Sequence, residues 1–214
     1  MSDRLWKDLD SALLRRALSA HANLPVEPEH RAAAVCVLLV ADGAGVRVLL
    51  IRRASRANDP WSGHMALPGG FHSPADADLY ATVLRETLEE VAVDLEHGAE
   101  FIGCLSDVTP VISAVTVRPF VFVRREVPEI VTNEEVEAFV WTDVGAIDRG
   151  DAHGTFEISN GSIRQSFPGF SVGERVVWGL TYRVLMDLLE RTRRTALELE
   201  NTQERASVPA DPSR

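Results

Sequence analysis

Arg85-Glu86-Thr87-Leu88-Glu89-Glu90, preceded by the turn Leu67-Pro68-Gly69-Gly70, is the stretch on which the reading of this chain turns. Residues at i, i+3 and i+4 of a helix stand side by side, so Glu86, Glu89 and Glu90 crowd one patch of a helix predicted from about Pro74 to Ala92. Between Asp76 and Asp94 there are six acidic residues and one basic residue, Arg85. Mutual repulsion makes such a cluster costly unless a cation neutralises it. A hard divalent ion such as Mg²⁺ suits the task, because it prefers oxygen ligands and often sits between carboxylates and substrate phosphates. A solvated acidic helix face is the competing account of three glutamates at this spacing. The opposite side of the helix weighs against it: Tyr80, Leu84, Leu88 and Val91 are predicted to form a buried stripe that holds the helix against a core. Two adjacent glycines also let backbone come close to a ligand. Together these features favour a site that handles a diphosphate.

Working outward, the rest of the chain sets bounds on that site. With 214 residues, 45% of them hydrophobic, the chain can bury a good core as one domain. A formal net charge of −10 argues against a broad nucleic-acid footprint. It leaves room for anionic small molecules, since a bound metal inverts local charge. Cys36 and Cys104 both lie in apolar runs and are expected to be buried free thiols, with neither a disulfide framework nor a zinc site. No apolar run reaches transmembrane length, the N-terminus lacks the apolar segment of a signal peptide, and the C-terminus shows no targeting signal. The expectation is a cytoplasmic protein that binds neither membrane nor nucleic acid stably, present as a monomer or homodimer.

Periodicity predicts an amphipathic helix over 4–20, then a connector with Pro25 and Pro28, so that 1–30 precede the main domain. Ala32–Val40 and Val46–Ile51 read as strands joined by a glycine turn. A polar loop from Arg52 to Gly63, with Asp59-Pro60 in it, leads to a short strand near His64–Leu67. Further strands are predicted near 100–106, 114–124 and 137–142, an irregular Gly- and Ser-rich lobe over 150–173, and a helix over 174–195. The domain is placed at 31–196, and the tail 197–214 is expected to be disordered. Strands interleaved with helices point to an α/β fold, a layered helix/sheet/helix sandwich.

The segment from Gly70 to Val93 resembles the Nudix hydrolase signature, G-x5-E-x7-R-E-U-x-E-E-x-G-U, where U is a bulky apolar residue. Its second half reads Arg85-Glu86-Thr87-Leu88-Glu89-Glu90-Val91-Ala92-Val93, and Pro68-Gly69-Gly70 ahead of it is also typical. Counting back from Arg85 puts Phe71 at the motif glycine and Ala77 at its first glutamate. One extra residue before Arg85 restores Gly70 and supplies Asp76 as that glutamate's substitute. Ala92 replaces the final glycine, and Thr87 is a less apolar choice at its position. Asp59 to Gly70, Val117-Arg118-Pro119-Phe120-Val121, Asn133-Glu134-Glu135-Val136 and Trp178-Gly179-Leu180-Thr181 resemble features of the coenzyme A diphosphatase branch, although Trp61 stands where that branch has a histidine. The likeness covers about residues 30–190.

This resemblance implies a Nudix-type α/β/α sandwich with a mixed sheet and a Nudix domain over 31–196. It implies a diphosphatase that binds Mg²⁺ or Mn²⁺ through Glu86, Glu89 and Glu90, with the Gly70 carbonyl as a further ligand and Glu86 as ligand or base. Arg85 would orient its glutamate neighbours; an ordinary surface ion pair is the alternative. The implied substrate is CoA or acyl-CoA, cut to 3′,5′-ADP and a phosphopantetheine product. ADP-ribose, NADH or a nucleoside triphosphate, or a binding module without turnover, are the competing readings. Arg52, Arg53 and Arg56 either bind phosphates, whose geometry guanidinium matches, or form a basic surface loop, and Gly69, Gly70 and Trp61 complete the expected substrate contacts. Trp61 stacks on an adenine or plugs the core, and Trp178 is read as core because it falls on the predicted C-terminal helix. Glu134 or Glu135 is either a late catalytic acid or a solvated loop residue. His64 and His72 flank the glycine turn and are candidates for acid/base work.

Overall fold

A computed structural model describes residues 5–7, 9–18, 31–56, 61–109, 115–160 and 163–207. The central strand β1 (Arg31–Ala41) is an apolar run buried on both sides, the pattern of a strand sandwiched between helical layers. Strand β2 (Val46–Arg53) turns back against it, but only Leu39–Ala41 pair with Val46–Val48 before the two strands diverge. Two short strands fill the opening: β3 (Met65–Ala66) pairs with the end of β2, and β4 (Gly69–Phe71) with the start of β1. Cys36 N–H donates to the Pro68 carbonyl at 2.7 Å and pins the glycine turn into this cleft. On the outer sides, β5 (Glu100–Cys104) pairs with β6 (Val115–Arg124), β6 runs parallel to β1, and β7 (Val136–Asp143) lies antiparallel to β2. The result is a seven-stranded mixed sheet.

Side chains alternate between the two faces of this sheet. Val37, Leu39 and Leu50 meet α1 (Ser11–Leu18), α3 (Val144–Arg149) and α4 (Gly179–Ser207) through Leu14, Leu18, Ile147, Leu185 and Leu188. Cys36, Leu38, Leu49 and Phe122 meet α2 (Leu79–Val91) through Leu79, Val83 and Val91. Each such fully buried aliphatic or aromatic side chain contributes roughly 1.5–3 kcal/mol. The expected α/β/α sandwich with a mixed sheet is therefore the fold. Both cysteines are buried and free, as expected. Among the described residues no helix is long and apolar enough to cross a membrane.

Several expectations need correction. The span 4–20 is not one continuous helix: after a break at Leu9 and Asp10 a described helix runs Ser11–Leu18, headed by Asp10, whose Oδ1 accepts from Ala12 N–H at 2.8 Å. Asp78, not Pro74, opens α2, its side chain accepting from Ala81 N–H at 2.8 Å. Of the predicted stripe on α2, Val91 is fully buried and Tyr80 and Leu84 are half-buried against the core, but Leu88 is not part of it. Thr87 is fully buried, whereas Leu88 is 52% exposed. The lobe over 150–173 is regular: β8 (His153–Asn160), β9 (Ile163–Val172) and β10 (Arg175–Trp178) form a separate antiparallel sheet. Gly169 serves close packing, since a Cβ there would meet the Val177 carbonyl at 2.5 Å, while Gly150 and Gly173 take positive φ at turns. Residues 175–178 are thus strand, the last helix opens at Gly179, and Trp178 ends β10 half-buried instead of sitting in the core. That helix continues to Ser207, so the tail expected to be disordered from 197 begins as helix. The proline connector, Asp59-Pro60 and the last residues of the tail lie outside the described residues.

Candidate metal and diphosphate site

The divergence of β1 and β2 sets the glycine turn directly against α2. Gly69 adopts φ +144°, and a Cβ there would lie 2.2 Å from the Ala34 carbonyl oxygen. Only glycine lets the chain press this closely on β1. A Cβ on Gly70 would meet the Glu86 carboxylate at 2.4–2.5 Å, so the second glycine makes room for a side chain of the acidic helix. Gly69 N–H then donates to Glu90 Oε2 at 2.8 Å. The turn and the helix thus reach each other through the residues that the sequence singled out.

Glu90 is 3% exposed, on the side of α2 that faces the sheet. Burial pushes its carboxyl up to about 7; the Gly69 N–H and Arg53 oppose the rise, while Glu86 and Glu135 add to it. Burial also raises Glu86, against the pull of the Arg85 guanidinium and with repulsion from Glu89 and Glu135. Glu89 projects outward with 54% of its side chain exposed and meets Arg85 at 3.1 Å. Arg85 is the hub: NH1 donates to Glu86 at 2.8 Å and to Glu89 at 3.1 Å, and NH2 to the Phe71 carbonyl at 3.2 Å. Its Nε and NH2 grip both oxygens of Asp76 at 2.9 Å. That contact holds the Asp76 carboxyl well below the ordinary carboxylate range, and Arg85 is raised correspondingly.

The remaining sequence-derived candidates gather at the neighbouring end of β2. Arg52 ion-pairs with Glu137 on β7 and reaches the Gly63 carbonyl, so it ties β2 to its neighbours. Arg53 stands close enough to bear on the Glu90 charge. Arg56 pairs with Glu135 at 3.3 Å. Glu135 bears on both Glu86 and Glu90. Trp61 is half-buried in the turn before His64, and His64 packs its ring on Trp178 at 5.0 Å. His72 lies on the Asp76 side and contacts Thr82, a residue that the sequence reading passed over.

Among the described residues no group of three or more histidine, cysteine or acidic side chains is arranged as a ready-made cation cage. The Arg85 guanidinium fills the space between Glu86 and Glu89. The donor set nonetheless fits a hard divalent ion: it is all oxygen, partly dehydrated, and strained by its own repulsion, which a cation relieves.

A family model described as NUDIX domain matches residues 29–160. The chain belongs to the Nudix family. It is similar to an uncharacterised protein of Schizosaccharomyces pombe, 37% identical over 134 residues, which are 58% of this chain and 40% of that protein. The chain therefore matches well under half the length of that relative. It is also similar to the human mitochondrial coenzyme A diphosphatase NUDT8, 32% identical over 180 residues, 78% of this chain and 71% of that one. Among solved structures it resembles the NUDIX domain of Shewanella oneidensis NrtR complexed with ADP ribose, at 18% identity, 80% of this chain, 94% of that chain and a TM-score of 0.49. Nudix hydrolases are generally dependent on a divalent metal. Read as a Nudix box, the loop has Asp76 gripping the box arginine, which is the register with one extra residue before Arg85. Ala92, at the final glycine position, adopts φ 56° and closes α2 in the left-handed region.

Proposed function

We propose that this Nudix protein is a metal-dependent diphosphatase that cuts CoA or acyl-CoA to 3′,5′-ADP and a phosphopantetheine product. The observation that carries the hydrolytic reading is the pair of dehydrated carboxylates, Glu86 and Glu90, pressed on the Gly69-Gly70 backbone with Arg53 and Arg85 beside them. The choice of CoA is supported by the name of the human relative at 32% identity and by the likeness of residues 59–70 to the coenzyme A diphosphatase branch.

Glu86, Glu89 and Glu90, with the Gly70 carbonyl, would hold Mg²⁺ or Mn²⁺. Such an ion neutralises a bridging diphosphate and lowers the pKa of a bound water. Phosphoryl transfer depends mainly on positioning and charge neutralisation, and the chain's own groups are arranged for both. Arg85 fixes the Glu86 and Glu89 carboxylates through one nitrogen while its other two are tied to Asp76 and Phe71. Arg53 supplies positive charge beside Glu90, where a phosphate would approach. Glu86, its proton affinity already raised, can take the proton from the attacking water.

Mass analysis of products from CoA, ADP-ribose, NADH and dATP with Mg²⁺ tests the assignment. Release of 3′,5′-ADP from CoA is expected, and preference for another compound rejects the CoA choice. Glu90→Gln should lower kcat by roughly a hundredfold or more; wild-type turnover in that variant rejects the carboxylate site.

A further inference from the structure

The Asp76–Arg85 pair is itself held from behind. Thr82, on the first turns of α2, is fully buried, and its hydroxyl lies 2.9 Å from Asp76 Oδ2. A carboxylate can only accept, so the Thr82 hydroxyl is the donor. The Asp78 carbonyl is a second acceptor for the same hydrogen at 3.1 Å. On the other side of that hydroxyl, His72 Nδ1 stands at 3.0 Å. With its only hydrogen committed, the Thr82 oxygen accepts there, which places the His72 proton on Nδ1. His72 is anchored at this spot by its backbone N–H, which donates to the Ala32 carbonyl of β1 at 2.9 Å. Asp76 completes its set with Ser73 N–H at 2.9 Å, and its side chain is only 5% exposed.

We infer that His72 and Thr82 are positioning residues for the metal carboxylates, acting through Asp76 and Arg85. The chain of contacts runs from His72 to Thr82 to Asp76 to Arg85, and ends on Glu86 and Glu89. Its physical role follows from how Arg85 divides its donors. Nε and NH2 are spent on Asp76, and only NH1 is left for the two glutamates. If Asp76 turns away, the whole guanidinium is freed to bind Glu86 and Glu89, where it competes with a divalent ion for the same oxygens. Thr82 and His72 keep Asp76 turned toward Arg85. The relay uses hydrogen-bond direction alone and needs no change of protonation. A group hydrogen-bonded directly to a metal's ligands, as Arg85 is here, commonly changes metal affinity by roughly 10–100-fold, and Thr82 and His72 act on that group through Asp76.

This inference rests on the reading of Glu86, Glu89 and Glu90 as a metal site, and its test separates the two. Binding of Mn²⁺ alone, without substrate, is measured by loss of the free-ion electron paramagnetic resonance signal. Thr82→Val keeps the shape and removes the hydroxyl; His72→Leu removes the donor from a side chain that is 37% exposed. Each should weaken Mn²⁺ binding by roughly tenfold, with kcat reduced and KM for the nucleotide unchanged. Thr82→Ser and His72→Asn, which return a donor to the same place, should restore both. Wild-type Mn²⁺ affinity in Thr82→Val and His72→Leu overturns the relay, as does failure of the conservative variants to restore it. Should Thr82→Val not fold, the His72 pair decides alone. If Glu90→Gln binds Mn²⁺ like the wild type, the metal-site reading falls; if Glu90→Gln loses binding while the relay variants keep it, the relay alone falls.

Discussion

Ala92 shows how one residue can work against the fold that it closes. It is the one non-glycine with positive φ among the described residues, at φ 56° and ψ 27°, and its N–H donates to the Leu88 carbonyl at 3.0 Å. A Cβ in this region crowds the following carbonyl at a cost of about 1–2 kcal/mol. Glycine removes that strain but adds freedom to the unfolded chain, which returns part of the gain. Ala92→Gly should therefore stabilise the protein by about 0.5–1 kcal/mol, read as a higher urea midpoint with an unchanged slope. A lower midpoint would mean that the alanine methyl makes a compensating contact. The sequence marked this residue as a departure from the family pattern and read it as mild; the left-handed angle that makes it costly appears only in the folded C-cap of α2.

At the scale of elements, α2 and the loop before it behave as one unit, because Asp76 ties the loop to Arg85 and Thr82 on the helix. Arg85 depresses the Asp76 pKa, so the folded state holds this carboxyl ionised more firmly than the unfolded chain does. The stability that it contributes is complete above the unfolded carboxyl pKa near 3.9 and is lost as pH falls below it, toward the lower folded value. Asp76→Asn should cost on the order of 2 kcal/mol near neutrality, in line with hydrogen bonds to charged groups. Melting curves of variant and wild type should keep a constant gap from pH 7 to about 5 and converge below about pH 4. A gap that persists unchanged to pH 3 would show that the pair contributes nothing through charge. Within the same element the sequence misplaced Leu88 in the buried stripe. Glu90 must reach Gly69 and Thr87 faces Cys36; successive helix residues turn by about 100°, so Leu88 is carried out to solvent. Apolar character alone could not set that rotation.

For the whole molecule, the two-sided burial of β1 is the dominant fact. Cys36 lies at its centre, fully buried, and burial pushes its thiol up to about 12; the same cause pushes Cys104 up to about 11. Both thiols should resist an aromatic disulfide reagent at pH 8 in the folded protein and react together when urea unfolds it. Rapid labelling of either one under native conditions would show local opening of the sheet. The sandwich itself was legible in the sequence, since continuous apolar runs such as Val35–Val40 announce strands covered on both faces. The three-stranded lobe was not, because Gly169 serves close strand approach within a segment that looks like loop composition. The end of α4 was not legible either: polar residues beyond 197 extend the helix through Ser207, where composition read as tail.

By itself the sequence determined the chemistry available to this protein: three glutamates at helical spacing, two glycines to bring backbone against them, and an arginine among them. Those are local properties, written in residue type and interval. Only the tertiary structure decided which glutamate is dehydrated, which acid holds the arginine, and that Thr82 and His72 stand behind that acid. Such choices depend on where β1 and β2 separate and how α2 is rotated into the gap. They arise from contacts between segments distant along the chain, and no interval within one segment encodes them.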